Sequence, residues 1–137
     1  WDLYGSQNLT NEHKFSIGAF AAVSAKDPHL DDIKQILHSG RALVYGTHLY
    51  TDFGKYDGYP VPYVGNNKIA KKSNGDDVGH CMLIIGYDDT LGTAPNKGAF
   101  LIQNSFGPDW GEAGRVWIAY STFSTLSEGT AFYIQLP

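Results

Sequence analysis

Among the 137 residues, the side chains best suited to moving protons near neutral pH are five histidines, and the single soft nucleophile is Cys81. His80 and Cys81 are adjacent. Neighbours on an extended strand point to opposite faces, so a strand through Gly79-His80-Cys81 keeps the imidazole and the thiol apart. His13, His29, His38 and His48 are widely spread, and with one cysteine they offer no ligand spacing typical of zinc. The pairs Asp31-Asp32, Asp76-Asp77 and Asp88-Asp89 do not fit the twelve-residue calcium loop and read as a helix start and two solvated turns. Ser105 lacks the Gly-x-Ser-x-Gly elbow of a serine hydrolase. No metal and no cofactor are therefore expected. A lone histidine in such a chain reads first as a surface or satisfied core residue, unless its flanks say otherwise.

The flanks do say otherwise. Gly79-His80-Cys81 opens an apolar stretch, Leu83-Ile84-Ile85-Gly86-Tyr87-Asp88, and a second apolar stretch ends in Asn104-Ser105-Phe106-Gly107-Pro108-Asp109-Trp110-Gly111-Glu112. In this order the segments resemble the second, β-rich half of papain-like cysteine peptidases, over roughly residues 33–136. The resemblance implies His80 as general base and Asn104 as the group that orients its ring. It places Phe106 where the family has a Trp shielding the Asn–His hydrogen bond, and Trp110 at the leaving-group side of the cleft. Cys81 falls where relatives carry Ala, lining the pocket for the substrate residue second from the scissile bond. Gly46 falls in the same pocket, which implies room for a bulky apolar side chain.

The nucleophile is missing from this picture. In papain-type enzymes His and Asn follow the nucleophilic Cys by roughly 130–150 residues, whereas 79 residues precede His80 here. The family nucleophile also sits at a helix N-terminus, where the dipole lowers the thiol pKa, and nothing around Cys81 reads as one. The implied function is cysteine-type endopeptidase activity, with this chain supplying His80 and Asn104. The nucleophilic Cys and the oxyanion Gln would come from an N-terminal catalytic half, as a separate segment or chain, so this chain alone is expected to be inactive. Two other readings remain open: a non-catalytic papain-like domain that binds peptide or protein, and an acyltransferase on the same scaffold.

The rest of the chain must position these residues. The implied fold is α+β, the right-hand papain-like subdomain, an antiparallel barrel-like sheet with one main helix. Residues 1–14 read as a linker or tail and 15–137 as the domain. A strand is expected within 17–23. A helix should follow, with Asp27 as N-cap, Pro28 in the first turn, Leu30, Ile33, Ile36 and Leu37 on one apolar face, and Gly40 as the stop. Residues 42–49 read as a buried strand, 50–56 as a short helical turn with Phe53 and Tyr56 facing inward, and 57–77 as a long functional or mobile loop. Further strands are expected over 81–87, 98–103, 115–120 and 131–136.

Composition is that of a globular domain, with 42% apolar and 18% charged residues. The net charge of −4 and the scattered basic residues give no footprint for nucleic acid. No apolar run approaches the ~20 residues of a membrane helix. The expected partners are the N-terminal half and a protein or peptide substrate, with neither nucleic acid nor membrane. One cysteine allows no internal disulfide, and localisation is open between secreted, lysosomal-like and delivered forms.

Overall fold

The computed structural model describes residues 18–58 and 61–135. The tail expected over residues 1–14 and the start of the strand expected at Ile17 lie outside the described residues. Six strands form one antiparallel sheet: β1 (Ala19–Ser24), β2 (Leu43–His48), β3 (Gly79–Asp88), β4 (Ala99–Gln103), β5 (Arg115–Ala119) and β6 (Ser127–Gln135). Their order across the sheet is β1-β6-β2-β3-β4-β5. The sheet is open rather than closed into a barrel. Two helices accompany it, α1 (Leu30–His38) and α2 (Tyr120–Leu126).

Helix α1 follows its apolar spacing but not its expected start. A turn closes first, with His29 N–H donating to the Lys26 carbonyl at 2.9 Å. Asp27 is engaged elsewhere, its N–H donating to Ser124 Oγ at 2.9 Å. His29 is the N-cap and makes no side-chain cap bond, so Asp27 is not the cap. The stop is as expected. Gly40 takes φ of +84°, its N–H donates to the Leu37 carbonyl, and Arg41 N–H reaches the Ile36 carbonyl. This pair of bonds is a Schellman ending, whose left-handed residue favours glycine.

The second helix has no sequence signal. Its residues, Tyr-Ser-Thr-Phe-Ser-Thr-Leu, are mediocre helix formers without a capping side chain. Tertiary packing forms it instead: Thr122, Phe123 and Leu126 are buried. Phe123 packs on Tyr45 (ring centroids 4.8 Å) and on Phe100 (4.7 Å). Lys26 Nζ donates to the Ser124 and Thr125 carbonyls at 2.6 and 3.2 Å, a cation at the negative end of the helix dipole. Strand β6 begins directly after this helix, four residues earlier than its apolar run indicates.

The sheet has one dry face. Leu43, Tyr45, Met82, Ile84, Phe100, Ile102, Val116, Ile118 and Ala131 join Leu30, Ile33, Phe123 and Leu126 in a single core. The other face stays open. Along β2 burial alternates, so the strand expected to be buried throughout is buried on one side only. Phe132, Val44 and Leu83 stand side by side in register across β6, β2 and β3, each exposed by 38–42%. Ile85 and Ile134 lie on neighbouring positions of the same strands and are also exposed.

The long segment after the 3₁₀ turn Phe53–Lys55 is tied down rather than loose. Tyr63 N–H donates to the Trp117 carbonyl at 2.7 Å, Ala119 N–H to the Tyr63 carbonyl at 3.1 Å, and Tyr63 Oη to Asp52 Oδ1 at 2.7 Å. Phe53 is buried as expected, whereas Tyr56 is half-buried.

Two outcomes follow. Phe100 is fully buried between Tyr120 and Phe123, so Phe100→Ala should lower unfolding free energy by about 3–5 kcal/mol, read from the denaturant midpoint. Asp89 accepts hydrogen bonds from Lys34 Nζ at 2.8 Å and Tyr120 Oη at 2.6 Å, and these hold its carboxyl below the ordinary carboxylate range. A depressed folded pKa gives stability that is complete above the unfolded value and is lost as pH falls through the folded one. Asp89→Asn should therefore melt lower than the parent at neutral pH, with the gap closing on acidification in a melting series.

Candidate functional site

His80 is the second residue of β3, and Asn104 directly follows β4. Because β3 and β4 are antiparallel neighbours, the start of one and the end of the other meet at the same rim. The side chains touch there: His80 Nε2 and Asn104 Oδ1 are 2.8 Å apart. The same Oδ1 accepts the Ser105 N–H at 2.8 Å. A backbone N–H can only donate, so this second bond requires the amide oxygen, not the nitrogen, to face it. The oxygen that faces His80 must then receive a proton from Nε2. In the neutral ring Nδ1 is left as the lone-pair nitrogen, and it has no hydrogen-bond partner among the described residues. The arrangement is a half-buried imidazole held in one tautomer, with its free nitrogen able to accept a proton and later return it.

The turn after β4 makes this geometry rigid. Asn104 N–H donates to the Gly114 carbonyl at 3.0 Å. Gln103 Nε2 donates to the carbonyls of Asn104 and Gly114 at 2.9 and 3.1 Å, clamping both ends of the loop. Gly111 is needed inside it: φ is +58°, and a β-carbon there would stand 2.4 Å from the Arg115 carbonyl oxygen. Asn104 is 7% exposed, and its Nδ2 is buried without a partner among the described residues.

Aromatic rings wall the pair. Phe106 lies tilted against the His80 ring with centroids 5.2 Å apart, and it is backed by Trp110 at 5.3 Å and Phe53 at 6.1 Å. Trp110 packs on Phe53 at 5.1 Å, and its Nε1–H donates to the Gly54 carbonyl at 3.0 Å. Excluding water on one side strengthens the Asn104–His80 bond electrostatically. Phe106 remains 48% exposed, so its outer face is open.

Cys81 stands apart from this constellation. It pairs with Gly46 across β2–β3 while His80 pairs with Thr47, which puts thiol and imidazole on opposite faces. Cys81 is free and exposed. With Val44, Met82, Leu83, Gln103, Asn104 and Ser105 it lines an open cavity of about 400 Å³. Above Gly46 the expected room for an apolar group is taken by a carboxylate, that of Glu128. Gln103 and Glu128 were not legible as site residues. Gln103 sits one position before the Asn on an apolar strand, and Glu128 lies in a polar stretch with no motif.

Residues 6–133 match the papain family of cysteine proteases. The chain belongs to that family. It is 32% identical over 101 residues to a silicatein of Petrosia ficiformis, covering 72% of this chain and 25% of the relative. Its fold resembles the digestive procathepsin L2 proteinase of the Tenebrio molitor larval midgut, with a TM-score of 0.61 and 23% identity over 88% of this chain and 34% of that one. It also resembles xylellain, a cysteine protease from Xylella fastidiosa, with a TM-score of 0.60 and 24% identity over 96% of this chain and 42% of that one. The chain thus spans well under two thirds of these relatives. Its open sheet with helices on the core side is the papain-like right-hand architecture.

The tautomer assignment has a direct readout. Long-range proton–nitrogen NMR correlation should show the neutral His80 ring protonated at Nε2, and Asn104→Ala should give a mixture of tautomers.

Proposed function

We propose that this chain is the base-bearing half of a papain-like cysteine endopeptidase, with the nucleophilic Cys and the oxyanion Gln supplied by a segment outside it. His80 Nδ1 takes the proton from that thiol, and the thiolate attacks the substrate carbonyl. The imidazolium, with Nε2–H still on Asn104 Oδ1, then protonates the leaving amine as the C–N bond breaks. A thioester remains, and water attacks it with His80 again as base. Asn104 is the positioning group, Phe106 the shield over the pair, and Trp110 borders the leaving-group side.

The observation that carries this reading is the 2.8 Å contact between His80 and Asn104, with the amide oxygen committed by Ser105 N–H. A module that only binds peptide has no requirement for a fixed tautomer with a free Nδ1. The apolar row Phe132, Val44 and Leu83 supports the same reading. An exposed sheet face of this kind marks an interaction surface, here the one that the complementary half would cover. The unpartnered Asn104 Nδ2 beside it is a buried donor that the same half could satisfy.

The test is reconstitution with a papain-like N-terminal half that bears the nucleophilic Cys and the oxyanion Gln. The assembled material should take up one equivalent of an epoxide that alkylates papain-type thiols, and it should hydrolyse peptides. His80→Ala should lower kcat/KM by about 10²–10⁴-fold without preventing assembly. Labelling of Cys81 in the isolated chain, or hydrolysis unaffected by His80→Ala, would sink the proposal.

A further inference from the structure

Gln103 ends β4 and directly precedes Asn104. Its register partners are Leu83 on β3 and Arg115 on β5, and it is half-buried beside the open cavity of Cys81 and Ser105. Its Nε2 donates to two carbonyls, those of Asn104 at 2.9 Å and of Gly114 at 3.1 Å. Two acceptors facing one end of an amide require the nitrogen there. Both N–H bonds are thereby used, and the Gln103 amide has one orientation.

The two carbonyls do different work. The Gly114 carbonyl also accepts the Asn104 N–H at 3.0 Å, which ties Gln103 to the start of β5. Gly114 takes φ of +85°, and a β-carbon there would stand 3.2 Å from the Gly107 carbonyl oxygen and 3.3 Å from Gln103 Nε2, so the contact is close on all sides. The Asn104 carbonyl belongs to the same peptide unit as the Ser105 N–H. In a planar trans peptide the C=O and the N–H point in opposite directions. The bond that holds the carbonyl on Gln103 therefore also aims the N–H at Asn104 Oδ1, 2.8 Å away. Turning that peptide unit would break both bonds at once. Oδ1 in turn faces His80 Nε2 at 2.8 Å.

We infer that Gln103 is a positioning residue for His80: by fixing the peptide unit between Asn104 and Ser105 it holds the Asn104 amide, and through it the Nε2–H tautomer of the ring. No hydrogen bond joins Gln103 to His80 among the described residues, so it acts through Asn104. The inference rests on the peptidase reading only for its effect on turnover.

The experiment reads the tautomer of neutral His80 by long-range proton–nitrogen NMR on the chain itself. Gln103→Met keeps the length and loses both donors, Gln103→Glu keeps the shape and loses them, and Gln103→Lys keeps donors without the acceptor. The ratio of Nε2–H to Nδ1–H rings should fall about five- to tenfold in the first two and stay at the parent value in the third. Where the methionine variant fails to fold, the glutamate variant gives the same decision. In an Asn104→Ala background Gln103→Met should change the ratio by less than about twofold, because the path is already cut. A ratio unchanged in the donorless variants, or one that falls equally without Asn104, overturns the inference. In the protein reconstituted with a papain-like N-terminal half, Gln103→Met should lower kcat about five- to tenfold with KM unchanged, and Gln103→Lys should keep the parent kcat. An unchanged kcat in Gln103→Met, with hydrolysis intact, overturns the inference as well. Absence of both hydrolysis and epoxide labelling in the parent overturns the peptidase reading instead, and the tautomer ratio still decides the role of Gln103.

Discussion

The Ser105 N–H is the smallest group at the rim, and the site depends on it. An imidazole beside an amide side chain can settle in several ways, because both rings and amides present donors and acceptors. One obligate donor removes that freedom. With Ser105 N–H on Asn104 Oδ1, the amide cannot flip without setting donor against donor, and the His80 tautomer follows. Everything around the turn serves to keep that N–H in place: Gln103 holding the carbonyls of residues 104 and 114, Gly111 allowing the tight return, and the aromatic wall of Phe53, Trp110 and Phe106 keeping water from competing.

The two faces of the sheet divide the work. The covered face joins both helices in one core and fixes the spacing of β3 and β4, so His80 and Asn104 meet with no help from outside the chain. The uncovered face carries Phe132, Val44 and Leu83 in one row, and the row ends beside the cavity of Cys81 and Asn104. The site is thus backed by a packed core on one side and open on the other.

Much of this was legible in the residues. Alternation and turn residues placed five strands close to their observed ranges, and the apolar face of α1 with Gly40 after it gave that helix and its end. The pairing of His80 with Asn104 was readable only through the resemblance to papain-like peptidases that the flanks of the two residues carry. Three things were not readable. Asp27 has the right type for a cap, yet a turn and Ser124 claim its backbone first. Helix α2 exists because Phe123 and Leu126 find a core contributed by distant strands, which no local propensity reports. Glu128 reaches Gly46 only through an irregular pairing of strands about eighty residues apart in sequence, and periodicity cannot show such a contact.

The strand order carries a consequence for how the molecule comes together. The last strand, β6, lies between β1 and β2 and is the neighbour of both. The first strand therefore has nothing to pair with until the final described stretch of chain has been made. Such long-range pairing closes large loops before it gains contacts, a feature of slow folding. During synthesis β2 to β5 can assemble as a contiguous meander on which α1 docks, Lys34 reaching Asp89 just beyond β3, while β1 waits for β6 to arrive and join it to the sheet. The rim with His80 and Asn104 belongs to the early-forming part, and the carboxylate of Glu128 is added with the closing strand.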